Sequence, residues 1–242
     1  MKVTLLAHTQ ISDEFYFKLP ISEDYYTDGQ AVALTAIRTC YSANKSSEIV
    51  ALEGEKYFGR KATDGEKGTD ADRLIRHIVK SGHTSTLEHI TFTFAIEGVS
   101  RALLSQLTRH RVGFSYSVQS QRYVKFSSDS KSQGFDYVVP EKVKSKTIVN
   151  LKYKKYMEII QSMYNELIEL GIPQEDARSV LPQAATCNLV LTVNLRAALD
   201  FYEKRRRGNG AQHEIALLAE AIKDKICQVE PWTAAFFGGD SK

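Results

Sequence analysis

The chain is poor in cysteine: Cys40, Cys187 and Cys227 are the only three in 242 residues. They are odd in number, widely spaced and in no C-x-x-C arrangement. That argues against a disulfide framework and a cysteine zinc site, and favours a reducing, cytoplasmic setting. Long apolar runs are missing too, and none approaches the roughly 20 residues that cross a bilayer, so no membrane partner is expected. The opening MKVTLLAHTQ has too short an apolar stretch to resemble a secretion signal. Excess charge is also lacking. A formal net charge of +3 makes no polycation, so no nucleic-acid partner is expected either.

Several motifs are absent as well. There is no G-x-G-x-x-G, and GNG at 208–210 follows a helical pattern rather than a strand, so no Rossmann turn holds a dinucleotide. There is no G-x-S-x-G and no cysteine beside a histidine, which leaves covalent acyl chemistry unsupported. GHTSTLEH at 82–89 is neither H-E-x-x-H nor H-x-x-E-H and has no third ligand nearby, so no metal site is expected.

What is present reads as an ordinary globular chain, 43% hydrophobic and 25% charged, long enough to bury a sizeable core. KVTLLA predicts a short strand, and residues 30–41 a helix rich in alanine. Residues 42–69, mostly Ser, Gly, Lys, Glu and Asp, read as an exposed excursion. A helix is expected from a cap at Thr69 or Asp70 to Gly82. TFTFAIE alternates like a half-buried strand, and SRALLSQLTRHR reads as a helix capped by Ser100. A long helix is expected over 146–170, ended by GIP, then a short helical segment in PQEDARSVLP. ATCNLVLTVNL predicts a buried strand, NLRAALDFYEKRRR a helix, and residues 211–228 a final helix. This interleaving suggests one α/β or α+β domain.

Residues 109–123, RHRVGFSYSVQSQRY, hold three arginines, a histidine and three serines with no acidic residue. Guanidinium offers a planar fork of donors and stays charged at any working pH, so this composition suits a phosphate-bearing ligand. Gln106, Arg109 and His110 are spaced to share a helix face above what reads as a Ser/Gln-rich loop, and Arg122 and Tyr123 close that loop. Arg178, Arg196 and the run Arg205–Arg207 are further candidates, although a charge run at a helix end is commonly just solvated.

The arrangement Arg-His-Arg followed by Ser120 and Arg122 resembles the signature of the flavin-dependent thymidylate synthases. AIRTCY, GHTSTLEH with TFTF, SRALLSQLTRHR, ARSVLP, NLRAALDF and AQHEIA resemble the other blocks of that family, in its order. The resemblance implies an α+β fold spanning residues 1–242 as a single domain, with a small, mainly antiparallel sheet packed with several helices. It implies a homotetramer with shared active sites that binds FAD. The implied reaction converts dUMP to dTMP with methylenetetrahydrofolate as one-carbon donor and NADPH as reductant. By the same resemblance, Gln106, Arg109, Ser120, Gln121, Arg122 and Arg178 match substrate-binding positions. Cys40, His83, Ser85, Arg109, His110, Arg111, Asn194, Arg196 and Asp200 match flavin-side positions. The chain departs from the pattern two residues before Ser120, where Val118 stands with Gln119 beside it as the other candidate. Arg205 matches the catalytic arginine set against the uracil ring when counted from Asp200, whereas counting back from Gln212 selects Arg206.

Overall fold

The structure is a computed structural model that describes residues 1–19 and 26–238; the remaining residues of the expected 1–242 unit lie outside the description. Among the described residues, four strands form one sheet, β1 (Lys2–His8), β2 (Thr91–Ser100), β3 (Phe114–Val118) and β4 (Thr186–Asn194). Their order is β1-β2-β4-β3 and every pairing is antiparallel, as expected of an α+β chain. Phe92, Phe94 and Ile96 of β2 and Cys187, Leu189, Leu191 and Val193 of β4 all point to one buried face. The other face carries hydroxyls, with Thr93 and Thr192 hydrogen-bonded across the ladder at 3.0 Å. One-faced burial is what an antiparallel sheet allows, and it is why both strands alternate so cleanly in sequence.

Among the described residues, ten helices accompany that sheet. Those of the first half are α1 (Asp13–Tyr16), α2 (Asp28–Thr39), α3 (Ile49–Phe58), α4 (Asp70–Lys80) and α5 (Arg101–Leu107). The second half adds α6 (Glu141–Lys144), α7 (Thr147–Glu169), α8 (Gln174–Ala177), α9 (Leu195–Arg205) and α10 (His213–Val229). Short 3-10 turns lie at Thr84–His89, Arg178–Val180 and Pro231–Phe236. Side chains set half of the ten helix starts, Ser12 before α1 among them. Thr27 and Thr69 form capping boxes with Gln30 and Asp72, while Ser100 and Asn194 accept from the backbone N–H three residues on. The Ser100 amide and hydroxyl also donate to Glu214 at 2.8 and 2.6 Å, which ties the start of α5 to α10. Helices α2, α4, α9 and α10 cover the buried sheet face in the main core.

Two sequence expectations are corrected. Residues 42–69 are not all an exposed excursion: Val50, Tyr57 and Phe58 of α3 are buried in a second core with Leu34 of α2 and Ala71 of α4. That helix lacks a side-chain cap and carries Gly54, so its local signal is weak and its burial is tertiary. Nor is the Ser/Gln-rich stretch that Arg122 and Tyr123 close all loop. FSYSV is strand β3, with Phe114, Tyr116 and Val118 turned toward the main core and the serines outward. A third cluster gathers Phe126, Phe135, Met157, Tyr164, Ala177 and Ala185 under α7. No helix among the described residues is long and apolar enough to cross a membrane.

Candidate active site

Helix α5 stops at Leu107, so the Arg-His-Arg run lies in the turn beyond the helix rather than on its last turn. The Tyr116 hydroxyl holds that turn, 2.6 Å from the His110 carbonyl and 2.9 Å from that of Leu107. Burial pushes the Tyr116 pKa well above the ordinary 10, so the group remains a neutral donor. Gly113 follows with φ 73°, a left-handed conformation that turns the chain into β3. A Cβ there would stand 2.7 Å from Ala197 Cβ and from Asn194 Nδ2, so β3 approaches the start of α9 as closely as a glycine permits.

Beyond this turn His110 meets the far end of α9. Its ring sits edge-on to Phe201 at 5.0 Å between centroids, and its Nε2 accepts from Arg205 Nε at 3.1 Å. An accepting Nε2 means a neutral imidazole with its proton on Nδ1. Burial, and then the Arg205 charge, lower the His110 pKa below its ordinary 6.5, in keeping with that state. A second Arg205 nitrogen points at the Gln106 carbonyl, 3.5 Å away, and the Gln106 side chain donates to Gln212. Arg206 caps the helix instead and bonds Glu203 at 3.1 Å. Arg205 is therefore the arginine that faces Gln106 and His110. The expected shared face is only partly formed, because Arg109 and Arg111 are exposed and, among the described residues, make no side-chain hydrogen bond or ion pair.

The other end of α9 borders a cleft of about 270 Å³. Cys40 after α2, His83 and Ser85 after α4, and Arg196 on α9 all line it, with Ile37 and Ile78 as apolar walls. Gly82, at φ 84°, ends α4 and turns the chain so that His83 enters the cleft. The Tyr41 hydroxyl lies 3.3 Å from His83 Nδ1, and Arg196 pairs with Glu88. Asn194 and Asp200 do not line this cleft. The Asn194 oxygen caps α9 by accepting from the Ala197 amide at 2.9 Å, and Asp200 pairs with Lys204 at 2.8 Å. Arg196 and Arg205 are separated by nine residues of helix, a rise of about 13 Å.

A second cleft, about 420 Å³, lies between α5 and the segment after α8. Gln121 and Arg178 line it, joined by Arg101, Ser105 and Thr108. Arg101 donates to the Gln119 carbonyl at 3.0 Å, while its buried Nε has no hydrogen-bond partner among the described residues. Sequence reasoning missed Arg101, yet a signal existed: it is the first residue of α5, where the helix dipole disfavours a cation. Other expected residues turn elsewhere. Ser120 Oγ accepts from the Arg122 amide at 3.1 Å, and the Arg122 guanidinium pairs with Glu175. Gln119 prolongs the β3–β4 ladder by donating from its amide to the Asn188 carbonyl at 2.8 Å, while Val118 packs on the main core. One chain thus gathers part of the expected set into three separate places, the two clefts and the Arg205–His110 pair, and leaves Arg109, Arg111, Ser120, Arg122, Asn194 and Asp200 outside them.

The family described as thymidylate synthase complementing protein matches residues 23–232, a span containing all three places. A flavin-dependent thymidylate synthase from Geobacter sulfurreducens is 36% identical over 231 residues, covering 96% of this chain and 84% of the relative. The chain belongs to the flavin-dependent thymidylate synthase family. Another member, from Nitratidesulfovibrio vulgaris, is 41% identical over 173 residues, covering 68% of this chain and 67% of the relative. Among solved structures, a UMP/dUMP methylase, PolB, from Streptomyces cacaoi shares the fold with TM-score 0.69 at 21% identity, over 98% of this chain and 94% of that one. Membership in the flavin-dependent thymidylate synthases makes the chain an enzyme.

Proposed function

We propose that residues 1–242 act as one domain converting dUMP to dTMP, with FAD, methylenetetrahydrofolate and NADPH, in a homotetramer whose subunits share active sites. The observation that carries this reading is the convergence of Cys40, His83, Ser85 and Arg196, from three distant parts of the sequence, on one cleft. Its donor set suits FAD. The Thr84 and Ser85 hydroxyls, the His83 ring and the Arg196 cation can meet phosphate and ring heteroatoms, and Ile37 and Ile78 offer an apolar wall. At about 270 Å³ the cleft admits only part of so large a molecule, which supports a site completed by a neighbouring subunit. The chemistry FAD supplies when bound is hydride transfer.

The remaining roles fall to the chain's own side chains. Arg101, Arg178 and Gln121 concentrate donors for the phosphate of the nucleotide. Gln106 and Arg109 reach the nucleotide of an adjoining subunit, Arg109, His110 and Arg111 approach its flavin, and Ser120 and Arg122 complete the phosphate and sugar contacts. Arg205 is the catalytic residue. Uracil is a poor electrophile, and a fixed guanidinium at a ring heteroatom stabilises the negative charge that develops when the C5–C6 edge is attacked. Neutral His110 accepts from Arg205 Nε and so orients the fork.

The test is the visible absorption of the purified protein, read anaerobically before and after NADPH with dUMP, followed by chromatography for dTMP. A flavin spectrum that bleaches, with dTMP formed only when methylenetetrahydrofolate is present, is the expected result. A protein that stays colourless after incubation with FAD would overturn the reading.

A further inference from the structure

Helix α7 has two unlike faces. Met157 and Tyr164 are buried against the third cluster, while Ile148, Leu151, Tyr156, Ile159 and Met163 face outward at 72, 64, 56, 48 and 48% exposure. Leu170, just past the helix end, is 72% exposed. A helix packed on one side only normally shows charge on the other. An apolar stripe of this extent marks an interaction surface.

The order of residues along the stripe specifies what covers it. Eleven positions either side of Ile159 stand Ile148 and Leu170; seven either side stand Lys152 and Glu166; four either side stand Lys155 and Met163. Set antiparallel against its own copy about Ile159, the face therefore places Ile148 opposite Leu170, Ile159 opposite Ile159 and Lys152 opposite Glu166, with Met163 against the alkyl stem of Lys155. The charges of the whole segment follow the same rule. No acidic residue occurs between 142 and 157, and no basic one between 158 and 171. This is the wrong way round for a lone helix, whose dipole favours acids at the N-terminus and bases at the C-terminus. The first turn of α7 has no acid, its last turn no base, and its N-cap residue Lys146 makes no side-chain cap. An antiparallel copy reverses both disadvantages, because each basic half and each dipole end then meets its opposite.

We propose that the outer face of α7 packs antiparallel against the same face of a second copy of this chain, about a two-fold axis at Ile159. The contact is isologous. It rests on the reading of the enzyme as a homo-oligomer and names a surface for that assembly. The helix is about 35 Å long, so its face alone covers less than the roughly 800 Å² per partner of a stable interface. It is accordingly one contact among those that hold the subunits together.

The experiment measures mass by sedimentation for the wild-type chain, Ile159→Glu, Lys152→Glu, Glu166→Lys and the double swap, with circular dichroism to confirm folding. Ile159→Cys adds a readout on non-reducing gels, the wild-type chain with its own exposed Cys40 serving as control. The expected results are a smaller assembly for Ile159→Glu, and about tenfold weaker association for each single swap, since each makes two like-charge contacts across the axis. The double swap should recover most of that loss, and Ile159→Cys should give a cross-linked dimer absent from the wild type. If the wild type is an oligomer, Ile159→Glu keeps its mass and Ile159→Cys does not cross-link, the helix assignment is wrong and the oligomeric reading stands. If the wild type is monomeric, both are wrong and the face serves some other partner.

Discussion

Replacing Arg205 by alanine separates catalysis from folding. The guanidinium is half-buried and held by one 3.1 Å bond to His110 Nε2 and a longer 3.5 Å approach to the Gln106 carbonyl. Among the described residues no carboxylate pairs with it, so none of them neutralises its charge. Truncation removes about one ordinary hydrogen bond from the fold, roughly 1 kcal/mol. For a chain of this size that lowers Tm by about 2–4 °C. The loss in the chemical step is larger. Removing one fixed donor from developing negative charge costs about 3–4 kcal/mol, or on the order of 10²–10³ in rate. FAD content should not change, since the cleft assigned to it lies at the other end of α9, about 13 Å along the axis. Arg205→Lys keeps the charge without the planar fork and should fall between the two. The assay is dTMP formation by chromatography, with flavin content read from the visible spectrum and Tm from calorimetry. Turnover within about threefold of wild type would refute the reasoning. So would a comparable loss in Arg206→Ala, whose side chain turns to Glu203. A Tm drop beyond about 10 °C would mean that the loss is structural.

Three further outcomes follow from the geometry. Gly113→Ala forces an L residue to φ 73° and drives a Cβ against Asn194, the cap of α9. The strain and weakened cap together should cost about 2–4 kcal/mol in denaturant unfolding. Glu230 is 1% exposed and accepts from the Thr27 hydroxyl, from the Gly29 amide at 3.0 Å and from Trp232 Nε1 at 2.6 Å. Glu230→Ala strands those donors and should lower stability by about 3–5 kcal/mol, seen as a fall in Tm of about 10 °C. For His110 the folded pKa lies below the ordinary 6.5, so the unfolded chain takes up its proton first as pH falls. Its stabilising contribution is complete above pH 6.5 and is lost as pH drops through the lower folded value. Unfolding curves of His110→Gln against pH should be flatter than wild type in that window; an unchanged slope would show that His110 does not titrate there.

Much of this protein is legible in its sequence because the relevant physics is local. Helix caps act within three or four residues, so Thr69 and Ser100 announce the starts of α4 and α5 without help from the fold. Strands β2 and β4 are legible for a related reason: burial on one sheet face imposes period-two alternation. Strand β3 carries the same alternation in FSYSV, but over five residues and with serines on the outer face it is easily taken for loop. Its identity comes from pairing with β4, more than seventy residues away. The serines, histidines and arginines that suit a nucleotide and a flavin are equally plain in the sequence, since their chemistry belongs to the side chains themselves.

Where those side chains meet was decided by tertiary structure alone. Arg205 and Arg206 are indistinguishable as residues. They differ because successive positions on a helix point about 100° apart, and only the packing of α9 against Phe114 and His110 makes one of those directions the inner one. Arg101 joins Gln121 and Arg178 only because the sheet brings α5 beside the segment after α8. Cys40, His83 and Arg196 become neighbours by the same long-range closure. The sequence by itself determined which chemistry is available and where helices and strands begin. The fold decided which of those groups share a cleft, because that depends on contacts between residues far apart along the chain.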